Sequence, residues 1–184
     1  MRKRLVVLLF ALVVVAGSAA RAGDRPVLQG VVVGVVDGDT ADIRLDSGMI
    51  RIRFHAIDAP ESGQPNGKAA KAALSQLIFG KVVEVEPFEQ DRYDRLVARV
   101  WLDGQDVNAE MIKSGNAWTY RRYADEPAYC AYEKAARDLG RGLWRLPPAD
   151  RVAPWQWRQR KSRAGRFTDY SQETVAACVA ALGR

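Results

Sequence analysis

Histidine and cysteine are scarce in this sequence, with one His and two Cys among 184 residues. A single histidine excludes chemistry that needs a His pair or a two-His metal centre, and two cysteines exclude a Cys-rich zinc site. No apolar run reaches the roughly 20 residues needed to span a bilayer, and no internal repeat is visible. Hydrophobic residues make up 48% and charged residues 27%, which argues against wholesale disorder, a collagen-like chain or a disulfide-dense scaffold. The length suits one domain with its own core.

What is present has to be read region by region. The net charge is +6, a value that invites a nucleic-acid reading. Residues 1–22 carry four basic and no acidic side chains, residues 23–150 carry 17 basic and 20 acidic, and residues 151–184 carry seven basic and two acidic. The body is therefore slightly acidic and the two ends are basic. Bulk charge does not argue for polyanion binding here; only local clusters can.

Arg2, Lys3 and Arg4 precede a 13-residue apolar run, Leu5 to Gly17, and Ala20-Arg21-Ala22 fits the small-residue pattern read by signal peptidase. This layout predicts a secretory signal peptide over residues 1–22 and a periplasmic or secreted product with no stable membrane association after cleavage. In an oxidising compartment Cys130 and Cys178 become a candidate disulfide, the alternative being two buried free thiols. Cys130 falls in a predicted helix, Pro127 to Leu139, one position off an apolar face of Tyr129, Tyr132, Ala136 and Leu139. Cys178 falls in a short tail helix, where Val175, Val179 and Leu182 complete the stripe. The bond would tie that helix to the body.

The first half after the leader reads as strands: Val27 to Val36, Thr40 to Leu45 and Met49 to Ile57. In the third, Ile50, Ile52, Phe54 and Ala56 share one face and Arg51, Arg53 and His55 the other, the period of a strand with one buried side. Asp46-Ser47-Gly48 is a hairpin signal. A helix is predicted over Gly67 to Phe79 with Gly80 as its stop, then strands Lys81 to Pro87 and Leu96 to Leu102, then a helix capped by Asp106 that ends at Gly115. The fold class is α+β with a mainly β core. It is expected to be a five-stranded barrel of the OB type with about three packed helices and a C-terminal tail helix. The expected organisation is a leader over 1–22, a barrel domain over 23–146 and a basic, Trp-containing extension over 147–184.

Carboxylates gather at Asp37-Gly38-Asp39-Thr40 and Asp58-Ala59-Pro60-Glu61, each where a predicted strand ends. Brought together, such groups form a hard-oxygen site suited to Ca²⁺ or Mg²⁺ rather than zinc; taken singly, they are ordinary turn chemistry. Arg53 lies on the polar face of its strand and Arg95 begins another. A guanidinium matches phosphate bidentately and stays charged at any working pH. Two arginines and a divalent cation around one oxyanion are what phosphodiester cleavage needs, because its transition state carries extra charge on the equatorial oxygens. Glu61 would orient or deprotonate a water.

These residues sit in stretches that resemble the staphylococcal nuclease-like (thermonuclease) domains. The stretches are VVDGDT (35–40), IRFHAIDAPE (52–61), GKAAKAAL (67–74), DRYDRLVARV (91–100), NAEMIKSGNAWTYRRY (108–123) and ARDLGRGLW (136–144). The resemblance runs from about Gly30 to Trp144 and implies an OB barrel with helices. It places Asp39 and Asp58 on the family's two calcium-binding carboxylates, with Asp37 in support and Ala59 supplying a main-chain carbonyl. Arg53 and Arg95 match its catalytic arginines, and Glu61 the glutamate associated with the attacking water. Asp94 stands where glycine is common before the second arginine.

The implied activity is calcium-dependent hydrolysis of DNA or RNA by an endonuclease that breaks the 5′ P–O bond and leaves 3′-phosphate ends. Single-stranded nucleic acid is the expected partner of a monomer. Arg92, Tyr93, Tyr120 and Tyr123 are the candidate substrate contacts, within an aromatic and basic run that also holds Trp118, Arg121 and Arg122. The extension from Arg151 to Arg166, with six basic residues plus Trp155 and Trp157, is either an extra grip on polyanions or a strap across the body. The rival to catalysis is an OB-fold module that binds oligonucleotides or another extracellular polymer without cutting it.

Overall fold

A computed structural model describes residues 26–160 and 167–184. The expected leader over 1–22 and the basic residues Lys161, Arg163 and Arg166 lie outside the described residues. Strands β1 (Leu28–Val35), β2 (Thr40–Leu45) and β3 (Gly48–Phe54) form an antiparallel meander, and β1 also pairs antiparallel with β5 (Val82–Gln90). Strand β6 (Leu96–Leu102) pairs with β5 and, in parallel, with β3, where Ile52 faces Leu96 and Phe54 faces Ala98. That last pairing closes five strands into the expected barrel.

Period-2 alternation places Ile52 and Phe54 in the core and leaves Arg51 exposed. Strand β3 stops earlier than the run to Ile57 anticipates. Ala56 adopts φ 63°, which turns the chain before a two-residue strand β4 (Ile57–Asp58). His55 is consequently a turn residue stacked on Phe88, with ring centroids 3.9 Å apart. Strand β5, by contrast, continues past Pro87, because a register shift between Pro87 and Glu89 accommodates a residue with no N–H to give the ladder.

Helix α1 (Gly67–Ile78) buries Ala70, Leu74 and Ile78 at helical spacing and stops at Phe79, after which Gly80 has φ 76°. The two-residue β7 (Gln105–Asp106) leads into α2 (Val107–Lys113), whose first turn is capped by the Asp106 carboxylate accepting from the Ala109 N–H. Strand β8 (Trp118–Thr119) pairs with β4, setting Trp118 opposite Asp58. Among the described residues, no helix is long and apolar enough to cross a membrane.

Helix α3 (Pro127–Asp138) buries Tyr129 and Ala136 as expected, but Leu139 is 63% exposed, because the helix ends before it. Glu133 is instead wholly buried. After two short 3-10 turns, Gly142–Arg145 and Pro148–Asp150, the chain enters α4 (Pro154–Arg158) and later α5 (Val175–Ala180). Cys130 of α3 is bonded to Cys178 of α5 across 48 residues, so the expected disulfide does tie the tail helix to the body. A loop closure of this kind contributes about 2–4 kcal/mol. A second apolar cluster of Trp118, Ala136, Leu143, Trp144 and Ala153 packs the extension down.

Candidate active site

The chain reversal before β2 places two carboxylates at one rim. Asp37 accepts the Asp39 N–H at 3.0 Å, and Asp39 accepts the Ala59 N–H at 2.6 Å and the Thr40 hydroxyl at 3.2 Å. Gly38 lets this turn approach closely: a Cβ there would lie 2.6 Å from the Ala59 Cβ and 2.8 Å from the Ala70 Cβ. Gly67 does the same for the next loop, since a Cβ there would collide with the Glu61 carbonyl. Two glycines thus draw the carboxylate-bearing turns together against α1.

Arg53 projects from β3 into this space. Its Nη1 donates to the carbonyls of Phe54 at 2.5 Å and Ile57 at 2.8 Å, which fixes the plane of the guanidinium. Its Nη2 lies 3.0 Å from Asp58 and 3.2 Å from Asp39. Burial works against the Arg53 charge, yet Asp39, Asp58 and Asp37 outweigh it and hold its pKa above the ordinary value. Burial pushes the Asp39 carboxyl up to about 7; Arg53 opposes the rise, and Asp37 and Asp58 add to it. Burial also raises Asp58, against Arg53 and Arg158. Carboxyl groups outnumber guanidiniums in this cluster, and burial favours the neutral forms of Asp39 and Asp58.

These groups line one cleft of about 740 Å³ together with Ala59, Glu61, Arg92, Tyr93, Arg95, Tyr120 and Tyr123. The cleft therefore brings together every catalytic, metal and substrate candidate named from the sequence. Arg95 reaches it from the β5–β6 turn, tethered by its Nε and Nη2 to Asp91 at 2.8 and 2.7 Å. Asp94 occupies a left-handed position, φ 63°, which explains why glycine suits it and why Asp is tolerated there. Its carboxylate accepts from Gln90 at 2.5 Å, leaving Asp91 as the partner of Arg95. Arg92 donates to the Tyr93 hydroxyl at 2.7 Å, and Tyr93 is 64% exposed.

The aromatic and basic run divides. Tyr120 and Tyr123 face the cleft with ring centroids 4.9 Å apart, and Arg122 lines it too. Trp118 and Arg121 do not take part. Trp118 is buried, and Arg121 is caged by Glu133, Glu173 and the Thr119 carbonyl. Their burial is set by contacts with α3 and the extension, which spacing along the run does not reveal.

One cleft residue escaped the sequence reading. Arg158, the last residue of α4, places its Nη2 2.7 Å from Asp58 Oδ2 and its Nη1 3.1 Å from Asp58 Oδ1 and 2.7 Å from Glu61. It stands 100 residues from Asp58 in sequence, and only its place in a basic, Trp-bearing stretch hinted at it. The described part of the extension lies across the body as a strap, and one of its arginines enters the cleft.

Among the described residues, no three His, Cys, Asp or Glu side chains converge to hold a metal ion by themselves. The donor chemistry nevertheless fits a hard divalent cation. Two buried carboxylates already draw guanidinium nitrogens to shared positions, and Ca²⁺ completes its shell with carbonyl and water oxygens.

Comparison with known proteins agrees with this geometry. The family described as "Staphylococcal nuclease homologue" matches residues 51–146. An "Uncharacterized endonuclease" of Escherichia coli O157:H7 is 41% identical over 135 residues, covering 73% of this chain and 87% of its own. A "Micrococcal nuclease" of Shigella flexneri is 40% identical over 148 residues, covering 74% and 83%. An "Uncharacterized endonuclease" of Haemophilus influenzae is 37% identical over 142 residues, covering 76% and 77%.

Proposed function

The chain belongs to the staphylococcal nuclease homologue family, and from that premise we propose that it is an exported, calcium-dependent nuclease that hydrolyses phosphodiester bonds in DNA, RNA or both. The observation that carries this reading is the Arg53 bridge: one guanidinium nitrogen within 3.2 Å of both Asp39 and Asp58, in a cleft lined also by Arg95 and Glu61. Family membership alone would not suffice, because one fold hosts many functions.

Asp39 and Asp58, with the Ala59 main-chain carbonyl and Asp37 in support, would hold the calcium ion, which when bound supplies positive charge beside the scissile phosphate. Arg53 is fixed in plane by two carbonyls, and its Nη2, shared between Asp39 and Asp58, would turn to a phosphate oxygen when the cation takes its place on those carboxylates. Arg95, tethered to Asp91, offers a second guanidinium from the hairpin. As water attacks phosphorus, charge builds on the equatorial oxygens, and the two guanidiniums stabilise that state more than the substrate. Glu61 takes the proton from the attacking water. The new O–P bond forms as the P–O bond to the leaving sugar oxygen breaks, and that oxygen keeps the electron pair.

Arg92 would neutralise a neighbouring phosphate. Tyr93, Tyr120 and Tyr123 present aromatic edges and faces to unpaired bases, worth about 1–3 kcal/mol for each base stacked. The leader-like residues 1–22 support export, and the disulfide suits an oxidising compartment.

The test is cleavage of single-stranded DNA and RNA with added calcium and then with excess chelator. Cleavage that appears with calcium and stops with chelator is the expected result. Binding of the oligonucleotide with no calcium-dependent cutting would replace the enzyme with a non-catalytic binding module.

A further inference from the structure

The C-terminal strap reaches the Glu61 loop at two points. Inside the loop, the Gln64 side chain accepts the Glu61 N–H at 3.2 Å and donates to the Val152 carbonyl of the strap at 2.5 Å. At the cleft, Arg158 Nη1 donates to both Glu61 and Asp58, while its Nη2 takes the other Asp58 oxygen. The strap is itself held hard. Ala153 and Gln156 are buried, and Trp155 stacks on Tyr120 at 5.3 Å with an 8° interplanar angle and meets Trp118 edge-on at 6.0 Å. Beyond it, Cys178 is bonded to the body. A strap serving only to cover the barrel would have no need to bring a guanidinium, 43% exposed along its side chain, onto two carboxylates of the cleft.

We propose that Arg158 is a positioning residue of the nuclease site, supplied from outside the family-matched segment, that holds the Glu61 carboxylate beside Asp58. The proposal rests on the reading of the cleft as a calcium-dependent hydrolase. Glu61 stands on a loop and is 38% exposed along its side chain, so it needs an external partner to keep one orientation. A planar fork that grips two carboxylates at once supplies it, at a modest entropic cost. The same contact has a consequence for the metal. The guanidinium engages both oxygens of Asp58, so a divalent cation approaching that carboxylate must displace part of this grip against a like charge. Arg158 therefore weakens calcium binding while aligning the group that activates water.

Those two effects have opposite signs, which separates a positioning role from a merely structural one. The experiment compares full-length wild type, Arg158→Ala and Arg158→Lys in two ways: calorimetric titration with calcium alone, and steady-state cleavage of single-stranded DNA at saturating calcium. Arg158→Ala is expected to bind calcium on the order of tenfold more tightly. Its kcat is expected to fall about 10- to 100-fold with KM little changed, as misalignment of a reacting group costs. Arg158→Lys keeps the charge and loses the fork, so its calcium affinity stays near wild type while its kcat remains depressed. Calcium affinity and kcat falling together would mean a damaged fold and overturn the proposal. Unchanged kcat in both variants would overturn it too, with the nuclease reading intact. A wild type that binds calcium yet cuts no nucleic acid would remove the nuclease reading, and this proposal with it.

Discussion

Among the described residues, two arginine–carboxylate clusters are built from the same chemistry in different settings. Under the strap, Arg121 is gripped by both oxygens of Glu133, by Glu173 and by the Thr119 carbonyl, and Glu133 also accepts the Thr119 N–H. Arg137 stands 4.0 Å from Glu133, so cations and anions balance, and Arg121 is held strongly protonated by these partners despite its burial. In the cleft, the four carboxyl groups of Asp37, Asp39, Asp58 and Glu61 outnumber the guanidiniums of Arg53 and Arg158, and burial raises the pKa of Asp39 and Asp58. A balanced, closed cluster serves the fold. An unbalanced one open to solvent is the arrangement that the proposed cation and phosphate site calls for.

Exchanging the two arginines for alanine should separate these roles. Arg53→Ala is expected to lower kcat for single-stranded DNA by roughly 10²–10³-fold or more, the loss typical of a preorganised cation at a developing charge, with an unchanged circular dichroism spectrum. Near-wild-type turnover would make Arg53 an ordinary ion-pair partner. Arg121→Ala should instead cost about 3–5 kcal/mol of stability, because it strands the buried charge of Glu133. Urea melts would show that loss, and activity per folded molecule should remain. A melt within experimental error of wild type would erase the contrast.

The tail sharpens the comparison. Replacing Cys130 and Cys178 with serine should cost about 2–4 kcal/mol, seen as a lower denaturation midpoint. Because Arg158 depends on the strap, kcat should also fall in the disulfide-free protein while it is still folded; full activity there would show that the strap needs no such anchor. The smallest effect lies at the hairpin. Asp91 is desolvated, but the hydrogen bonds from Arg95 and from the Arg95 and Tyr93 backbone prevail and hold its carboxyl below the usual range. Its contribution to stability is therefore present above the ordinary carboxylate pKa and lost as pH falls through the lower folded value. An NMR titration of the Asp91 carboxyl carbon should show this depression, and Arg95→Ala should reduce it without abolishing it, because the backbone N–H groups at positions 93 and 95 remain.

How much of this was legible in the sequence followed the range of the interactions. Alternation along Ile50, Ile52 and Phe54 and the Asp106 cap are local signals, and they foretold β3 and α2. The carboxylate and arginine candidates were legible because their spacing belongs to a family pattern, and the cleft does gather them. The β4–β8 pair was invisible: two residues carry no period, and the partners are about sixty positions apart. The burial of Glu133 depends on Arg121 and Glu173 arriving from other elements, which no helical period reveals. Arg158 joins its carboxylates across 97 and 100 residues, beyond the reach of any local rule.

Calcium calorimetry on the wild type beside Asp58→Asn is the most direct test of the cleft as a cation site that serves hydrolysis. Saturable binding in the wild type that disappears with the single charge removed is the expected result. Equal affinity in the two proteins would contradict the assignment of Asp58 and, with it, the account of the cleft.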